Sequence, residues 1–224
     1  MKTNSPNLTR QTQQFAQSAG TSGMSELRLD WCGHKAAKFA VENWHYSGSL
    51  PVPPRMTIGV WEDDQYIGVI IYSRGASSSL GSPYSCSQTE TCELTRVALS
   101  EHETHVSRIL SISRKLLLQK SPGLKVIVSF ADPYQDHEGS IYQADNWYYI
   151  GKTSSTKKYI GPDGKEYHSR QVSEKGWNVQ FGEKRKCLKP SQCEEIKMPG
   201  KFRYVYPLTD DVEQKVKAMA KPYP

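Results

Sequence analysis

From Lys125 to Asp132 the chain runs through Val126, Ile127, Val128 and Phe130 with little polar interruption. A short apolar run of that kind predicts a central strand covered on both faces. Upstream, Met56–Glu62 and Tyr66–Arg74 read as two strands joined by Asp63-Asp64-Gln65, a short hairpin connection. Cys92–Leu99 reads as a further strand. The pattern then changes period: Val106, Ile109, Leu110, Leu116 and Leu117 share one side of a helix, and Ser100 with Glu103 would form its capping box. His34–Trp44 predicts another helix, stopped by Gly48 before the stiff stretch Leu50-Pro51-Val52-Pro53-Pro54. Ala76–Gln88, rich in Ser and Gly, predicts an exposed loop. Gly139–Asn146 suits a short helix, Trp147–Gly151 and Phe202–Pro207 suit strands, and Asp210–Ala220 a charged terminal helix. Ile160–Lys165 carries a Pro-Asp-Gly turn. The order predicts an α/β domain, a mixed central sheet flanked by helices. Residues 1–25 are polar and read as a disordered arm, 26–208 as the domain, and 209–224 as a terminal helix and tail.

Charge changes the picture more than composition does. Residues 150–204 hold 13 Lys and Arg against 6 Asp and Glu, while the rest of the chain holds 16 against 17. The positive excess is therefore local, the footprint of a phosphate-backbone partner or of a basic solvated face. Within it, Tyr167-His168-Ser169-Arg170-Gln171-Val172, then Lys184-Arg185-Lys186 and Lys189, interleave rings and cations in the manner of nucleic-acid contacts. The five Cys form no C-x-x-C pair, which predicts reduced thiols and no structural zinc. No apolar run approaches a membrane span and no leader is evident, so the expected place of work is a cytoplasm, with no membrane partner.

Four groups could carry chemistry. Asp132 ends the buried strand, where ligands collect in open α/β sheets, although an Asp before Pro133 can also simply cap its own turn. In Trp44-His45-Tyr46-Ser47-Gly48, His45 can serve as acid, base or metal ligand, while Tyr46 or Trp44 can stack on a base. Strand alternation puts Glu93 with Thr95 and Val97, and Arg96 with Leu94 and Ala98 on the opposite face. Tyr142, on the short helix after the central strand, can protonate a leaving group or be a satisfied core tyrosine.

The segments FAVENWHYSGSLP, YIGVIIYSRGA, TCELTRVALS, VSRILSISRKLL, PGLKVIVSFADP, GSIYQADNWYYIG, YHSRQV and KPSQCEEIKMPGKFRYVYPL together resemble the Mom DNA-modification proteins of Mu-like phages, over about residues 27–208. The resemblance implies a fold like the GNAT acyltransferases and a DNA adenine-modifying transferase. Such an enzyme would convert adenine to a carbamoylmethyl derivative in the host cytoplasm and shield phage DNA from restriction. It implies double-stranded DNA with a flipped adenine as substrate, and Fe(II) as a candidate cofactor held by His45 and Asp132. It places His45, Tyr46, Glu93, Asp132 and Tyr142 in catalysis, and Arg96, Ser107 and Arg108 at the activated donor. Trp44, His168, Arg170, Lys184, Arg185, Lys186 and Lys189 are then the expected DNA contacts. One departure bears on the donor. Many GNAT enzymes hold coenzyme A pyrophosphate on a glycine-rich turn opening the long helix, and Ser100–Arg108 has no glycine there and two acidic residues. Both an acyl-CoA and glycyl-tRNA remain open as donor, the latter with tRNA as a partner. A transferase acting on a protein or small amine, and a non-catalytic DNA-binding protein on the same scaffold, are the competing expectations.

Overall fold

The computed structural model describes residues 25–224 except 52, 54, 76 and 181, and the backbone alone at Arg170 and Gln180. The expected arm at 1–25 and part of the proline-rich stretch at 50–54 therefore lie largely outside the described residues. In chain order the elements are β1 (Leu27–Trp31), α1 (His34–Trp44), β2 (Arg55–Glu62), β3 (Gln65–Ser73), β4 (Thr91–Leu99), α2 (Val106–Lys120), β5 (Val126–Ala131), α3 (Ser140–Ala144), β6 (Tyr148–Lys152), β7 (Thr156–Ile160), β8 (Glu166–His168), β9 (Trp177–Gln180), β10 (Glu183–Lys186), β11 (Glu194–Met198), β12 (Phe202–Pro207) and α4 (Asp210–Met219).

Seven strands make one mixed sheet in the order β1-β2-β3-β4-β5-β12-β6, with β4 and β5 parallel and the other neighbours antiparallel. The Val126–Ala131 run sits inside it, and Val126, Ile127 and Val128 are fully buried because helices cover both faces. On one face α2 packs with Ile109, Leu110 and Leu117 against Ile58, Ile70, Tyr72 and Leu94. On the other, Ala37, Ala40 and Val41 of α1 meet Val69, Ile71 and Ala98, and Val212 and Val216 of α4 meet Val126, Val128 and Val205. Small residues on α1 let it lie close to the sheet.

Two expectations need correcting. The stretch 76–88 is not simply an exposed loop: Tyr84 and Cys86 are buried against Val128 and Val205, because a short 3-10 turn at Ser82–Tyr84 directs them inward. The capping box of α2 does not form either. His105 is its N-cap, Ser100 Oγ donates to the Ile67 carbonyl, and Glu103 contributes its backbone N–H rather than its carboxylate.

Between β6 and β12 the chain leaves the sheet for residues 153–201 and builds two small sheets, β11-β7-β8 and β10-β9. The excursion closes on itself at its base. Thr153 N donates to the Lys201 carbonyl and Lys201 N donates to Thr153 Oγ1 at 2.9 Å. Gly200 is required there, since a Cβ would lie 1.8 Å from the Thr153 carbonyl oxygen.

Candidate active site

β4 and β5 pair only from Thr91 opposite Val126 to Leu94 opposite Ser129. Beyond that point β4 continues to Leu99 beside β3 alone, so the two parallel strands part and leave a cleft between their carboxyl ends. Ser129 Oγ sits at the parting, 2.8 Å from the Leu94 carbonyl oxygen and 2.8 Å from the Tyr142 hydroxyl. Tyr142 reaches it from α3, its ring held between Trp147 and Tyr204. Burial pushes the Tyr142 phenol up to about 12, against the Ser129 hydrogen bond, so it keeps its proton at neutral pH.

The register of β4 against β3 shifts at Thr95: Ile71 faces Arg96 while Tyr72 faces Leu94. This bulge overturns the expected alternation. Leu94, Val97 and Leu99 all pack on the α2 side, and Ala98 packs under α1. Arg96 therefore shares the α1 side with Glu93 instead of opposing it. The guanidinium donates to the Thr95 carbonyl at 2.7 Å and the Ser49 carbonyl at 3.3 Å. Burial pulls it below its usual range, while Tyr46 and Glu93 favour its charge.

The end of α1 supplies the next groups. His45, the C-cap, turns to extended backbone, and Gly48 donates its N–H back to the His45 carbonyl from a left-handed conformation. The His45 ring stacks on Tyr46 with centroids 4.4 Å apart, and His137 lies 5.5 Å from the Tyr46 ring. His45 Nδ1 accepts the Ser47 amide N–H at 3.1 Å and lies 2.9 Å from Ser47 Oγ. Burial pushes His45 down to about 4, and Arg96, His137 and Lys201 all act in the same direction.

Asp132 caps its own turn, one of its two readings, and is ion-paired as well. One carboxylate oxygen accepts the Tyr134 N–H and caps the turn; the other pairs with Lys201 at 2.8 Å. His137 donates its backbone N–H to the Asp132 carbonyl, which folds the loop back toward Tyr46. Asp132 and His45 thus belong to one neighbourhood through Lys201 and His137, without a hydrogen bond between them. Neither His137 nor Lys201 is visible from sequence: the first depends on the tight turn after Asp132, the second on the return of the 153–201 excursion.

At the start of α2, the Glu62 carboxylate accepts Glu103 N–H at 2.8 Å, Thr104 N–H at 2.9 Å and the Thr104 hydroxyl at 2.5 Å. Burial favours its neutral form, but these donors outweigh that and hold its pKa below the usual range. Loop amides that could have met a ligand's anion are committed to the protein's own carboxylate. The recess beside them is acidic, lined by Glu62, Asp63, Glu101 and Glu103. Ser107 and Arg108 occupy the first turn of α2, Arg108 exposed.

The Mom protein family model matches residues 26–224. The chain belongs to the Mom protein family. The methylcarbamoylase Mom of Escherichia phage Mu is 27% identical over 150 residues, which are 65% of this chain and 61% of that protein. The chain thus aligns with less than two thirds of the length of this Mom relative. Among solved structures, an N-acyl amino acid synthase from uncultured soil microbes gives a TM-score of 0.46 at 9% identity, over 89% of this chain and 97% of that one. An acetyltransferase from Bacillus cereus gives 0.44 at 12%, over 82% and 100%. These overlaps are loose, and the architecture rests on the chain's own strand order.

For this Mom family member the expected DNA contacts divide. Lys184, Arg185 and Lys186 are all exposed on β10, with Lys184 Nζ 4.0 Å from the Trp177 ring centroid. Lys189 and His168 are exposed in the same excursion, and the Arg170 side chain lies outside the described residues. Trp44 packs edge-on to Phe39 and beside Tyr66, so its ring is a wall of the α1 packing and not an open stacking plate. The Fe(II) set does not fit. Among the described residues no group of three or more His, Cys, Asp and Glu converges to hold a metal. A neutral imidazole binds metal through one nitrogen while the other carries the proton, and His45 Nδ1 is accepting a hydrogen bond. The Asp132 oxygens are engaged by Lys201 and Tyr134. No helix among the described residues is long and apolar enough to cross a membrane.

Proposed function

We propose that the protein modifies adenine in phage DNA, placing a glycine-derived group on the exocyclic amine and ending at the carbamoylmethyl adduct. The observation that carries this reading is Tyr142 meeting Ser129 where β4 and β5 part, with Glu93, Arg96 and Tyr46 near enough to act on one another's charge and His45 stacked on Tyr46, in a member of a family whose phage Mu relative is named a methylcarbamoylase. The localised basic excursion supports DNA as substrate. A paired adenine amine is buried in the duplex, so the base must leave the stack to enter the cleft.

The route starts from an activated glycyl ester such as glycyl-tRNA. The adenine amine attacks the acyl carbon; Glu93 takes the proton it sheds, Tyr142 gives its proton to the leaving oxygen, and the proton on Glu93 then restores Tyr142. The glycyl amine next attacks the ring carbon bearing the amide nitrogen, through a five-membered spiro intermediate. Breaking the old carbon–nitrogen bond leaves the carbamoylmethyl isomer with no atom gained or lost. Arg96 holds the donor's oxygens, and the Asp132–Lys201 pair fixes the cleft's far wall. The Glu62 contacts favour this donor over an acyl-CoA, because the loop amides that would meet a diphosphate are already bonded. Shielding of DNA from restriction in the host cytoplasm is the biological outcome this chemistry serves.

The test is mass spectrometry of nucleosides from cells expressing the chain. A deoxyadenosine heavier by one glycyl residue is expected, with Tyr142→Phe lowering its yield by about 10²–10⁴. Unmodified DNA alongside an acylated protein or small amine would replace this reading with the general transferase. DNA binding without any modified product would leave a non-catalytic binder.

A further inference from the structure

The His45 ring sits where a base or a metal ligand would be expected, yet its hydrogen bonds allow neither role. A backbone amide can only donate, so the Ser47 N–H fixes Nδ1 as the acceptor at 3.1 Å. The neutral ring must then carry its proton on Nε2, on the opposite edge, where it has no protein partner among the described residues. A ring in this tautomer presents an N–H, not a lone pair, to whatever enters the cleft.

We propose, on the reading of the function given above, that His45 is a neutral hydrogen-bond donor whose Nε2–H holds the acyl oxygen of the donor, and that it neither abstracts the adenine proton nor ligates a metal. As the adenine amine forms its bond to the acyl carbon, the carbonyl π pair moves onto that oxygen. His45 Nε2–H stabilises the resulting negative charge until the pair returns and the bond to the leaving oxygen breaks. The surroundings select this ligand atom. Arg96 and Lys201 stand near enough to act on the ring's charge, and although Glu93 and Asp132 offset them, cations beside the ring suit an oxygen gaining charge. A donor to an adenine ring nitrogen would instead draw electron density from the amine and slow its attack. Burial, with Arg96 and Lys201, keeps the ring unprotonated, so at neutral pH it is a neutral donor. Stacking on Tyr46 fixes the plane in which the N–H points, and this is what Tyr46 does with the ring face it gives to His45.

Two measurements test this on the whole protein. Two-bond proton–nitrogen correlation spectra of ¹⁵N-histidine protein between pH 6 and 8 should show His45 protonated on Nε2 with Nδ1 bearing the lone pair. A ring protonated on Nδ1 overturns the proposal whatever the enzyme's product. For activity, His45→Gln places an amide N–H near the Nε2 position and cannot act as a base. It should retain much of the adenine modification, while His45→Ala loses about 10²–10³-fold, the cost of one oxyanion donor. A Gln variant that folds, binds DNA and is as inactive as the Ala variant also overturns it. If wild-type protein yields no modified adenine, the functional reading fails and the spectrum alone decides the tautomer.

Discussion

The central sheet and the 153–201 excursion are built from one chain by different means. The sheet holds its strands through buried apolar rows, and a buried ion pair joins α2 to the turn after α3: Arg114 pairs with Asp145, with the Trp147 indole N–H donating to Asp145 and the Tyr206 ring beneath Arg114. The excursion buries little. Its strands are tied by exposed pairs such as Lys157 with Glu195 and Lys158 with Glu166, and β10 is exposed along its whole length. Burial fixes a structure and leaves few positions free, while exposed pairs fix little and leave many cations available to a partner. Stability therefore resides in one region and the chain's positive surplus in the other.

The sharpest way to break that division is to disturb one ion pair in each region. Arg114→Leu leaves the Asp145 carboxylate buried without its partner and should cost about 3–5 kcal/mol in denaturant unfolding. Lys157→Ala, removing an exposed partner, should leave the unfolding midpoint unchanged. Equal losses would mean that the excursion is as much a part of the folded core as the sheet.

A smaller effect should appear in binding alone. Neutralising Lys184, Arg185 and Lys186 should weaken duplex binding for all sequences alike and lower the salt slope by about one for each phosphate that no longer meets a cation, with the unfolding curve unmoved. A weakening confined to one sequence would make β10 a base-reading element.

The smallest effect is in acid and belongs to the sheet side. Between about 6.5, the ordinary histidine value, and about 4, the unfolded chain takes up a proton at His45 that the folded chain refuses. Stability should fall as pH drops through that window and show no His45 slope above it. His45→Gln should flatten this part of a pH series of unfolding curves.

The same contrast decides what was legible in the sequence. The Val126–Ala131 run, the hairpin of β2 and β3 and the apolar stripe of α2 are readable because burial on a sheet or helix imposes a period. The strands β7 to β11 have no such stripe, since their residues face water on most sides, so only their charge and the Pro-Asp-Gly turn between β7 and β8 were readable. β1 escaped notice because Leu-Arg-Leu-Asp-Trp is too short and too polar to stand out at an edge. Of the candidate site, His45, Tyr46 and Asp132 at element ends and Glu93 and Tyr142 within elements could be named as chemistry-bearing residues. Their partners could not: His137, Lys201, Ser129 and Glu62 arrive through turns and long returns that no local pattern encodes.

The bulge at Thr95 gives β4 one residue more than its ladder needs. Everything after it is out of phase by one with everything before it, and that offset is what brings Glu93 and Arg96 onto one side. Deleting Thr95 would therefore restore a regular strand and leave Arg96 opposite Ile71, with Val97 and Leu99 still facing α2. Deleting a neighbour that is paired, such as Val97, would instead turn the rest of the strand over, because a strand alternates its faces with every residue. What this strand can spare is the one residue that breaks its period.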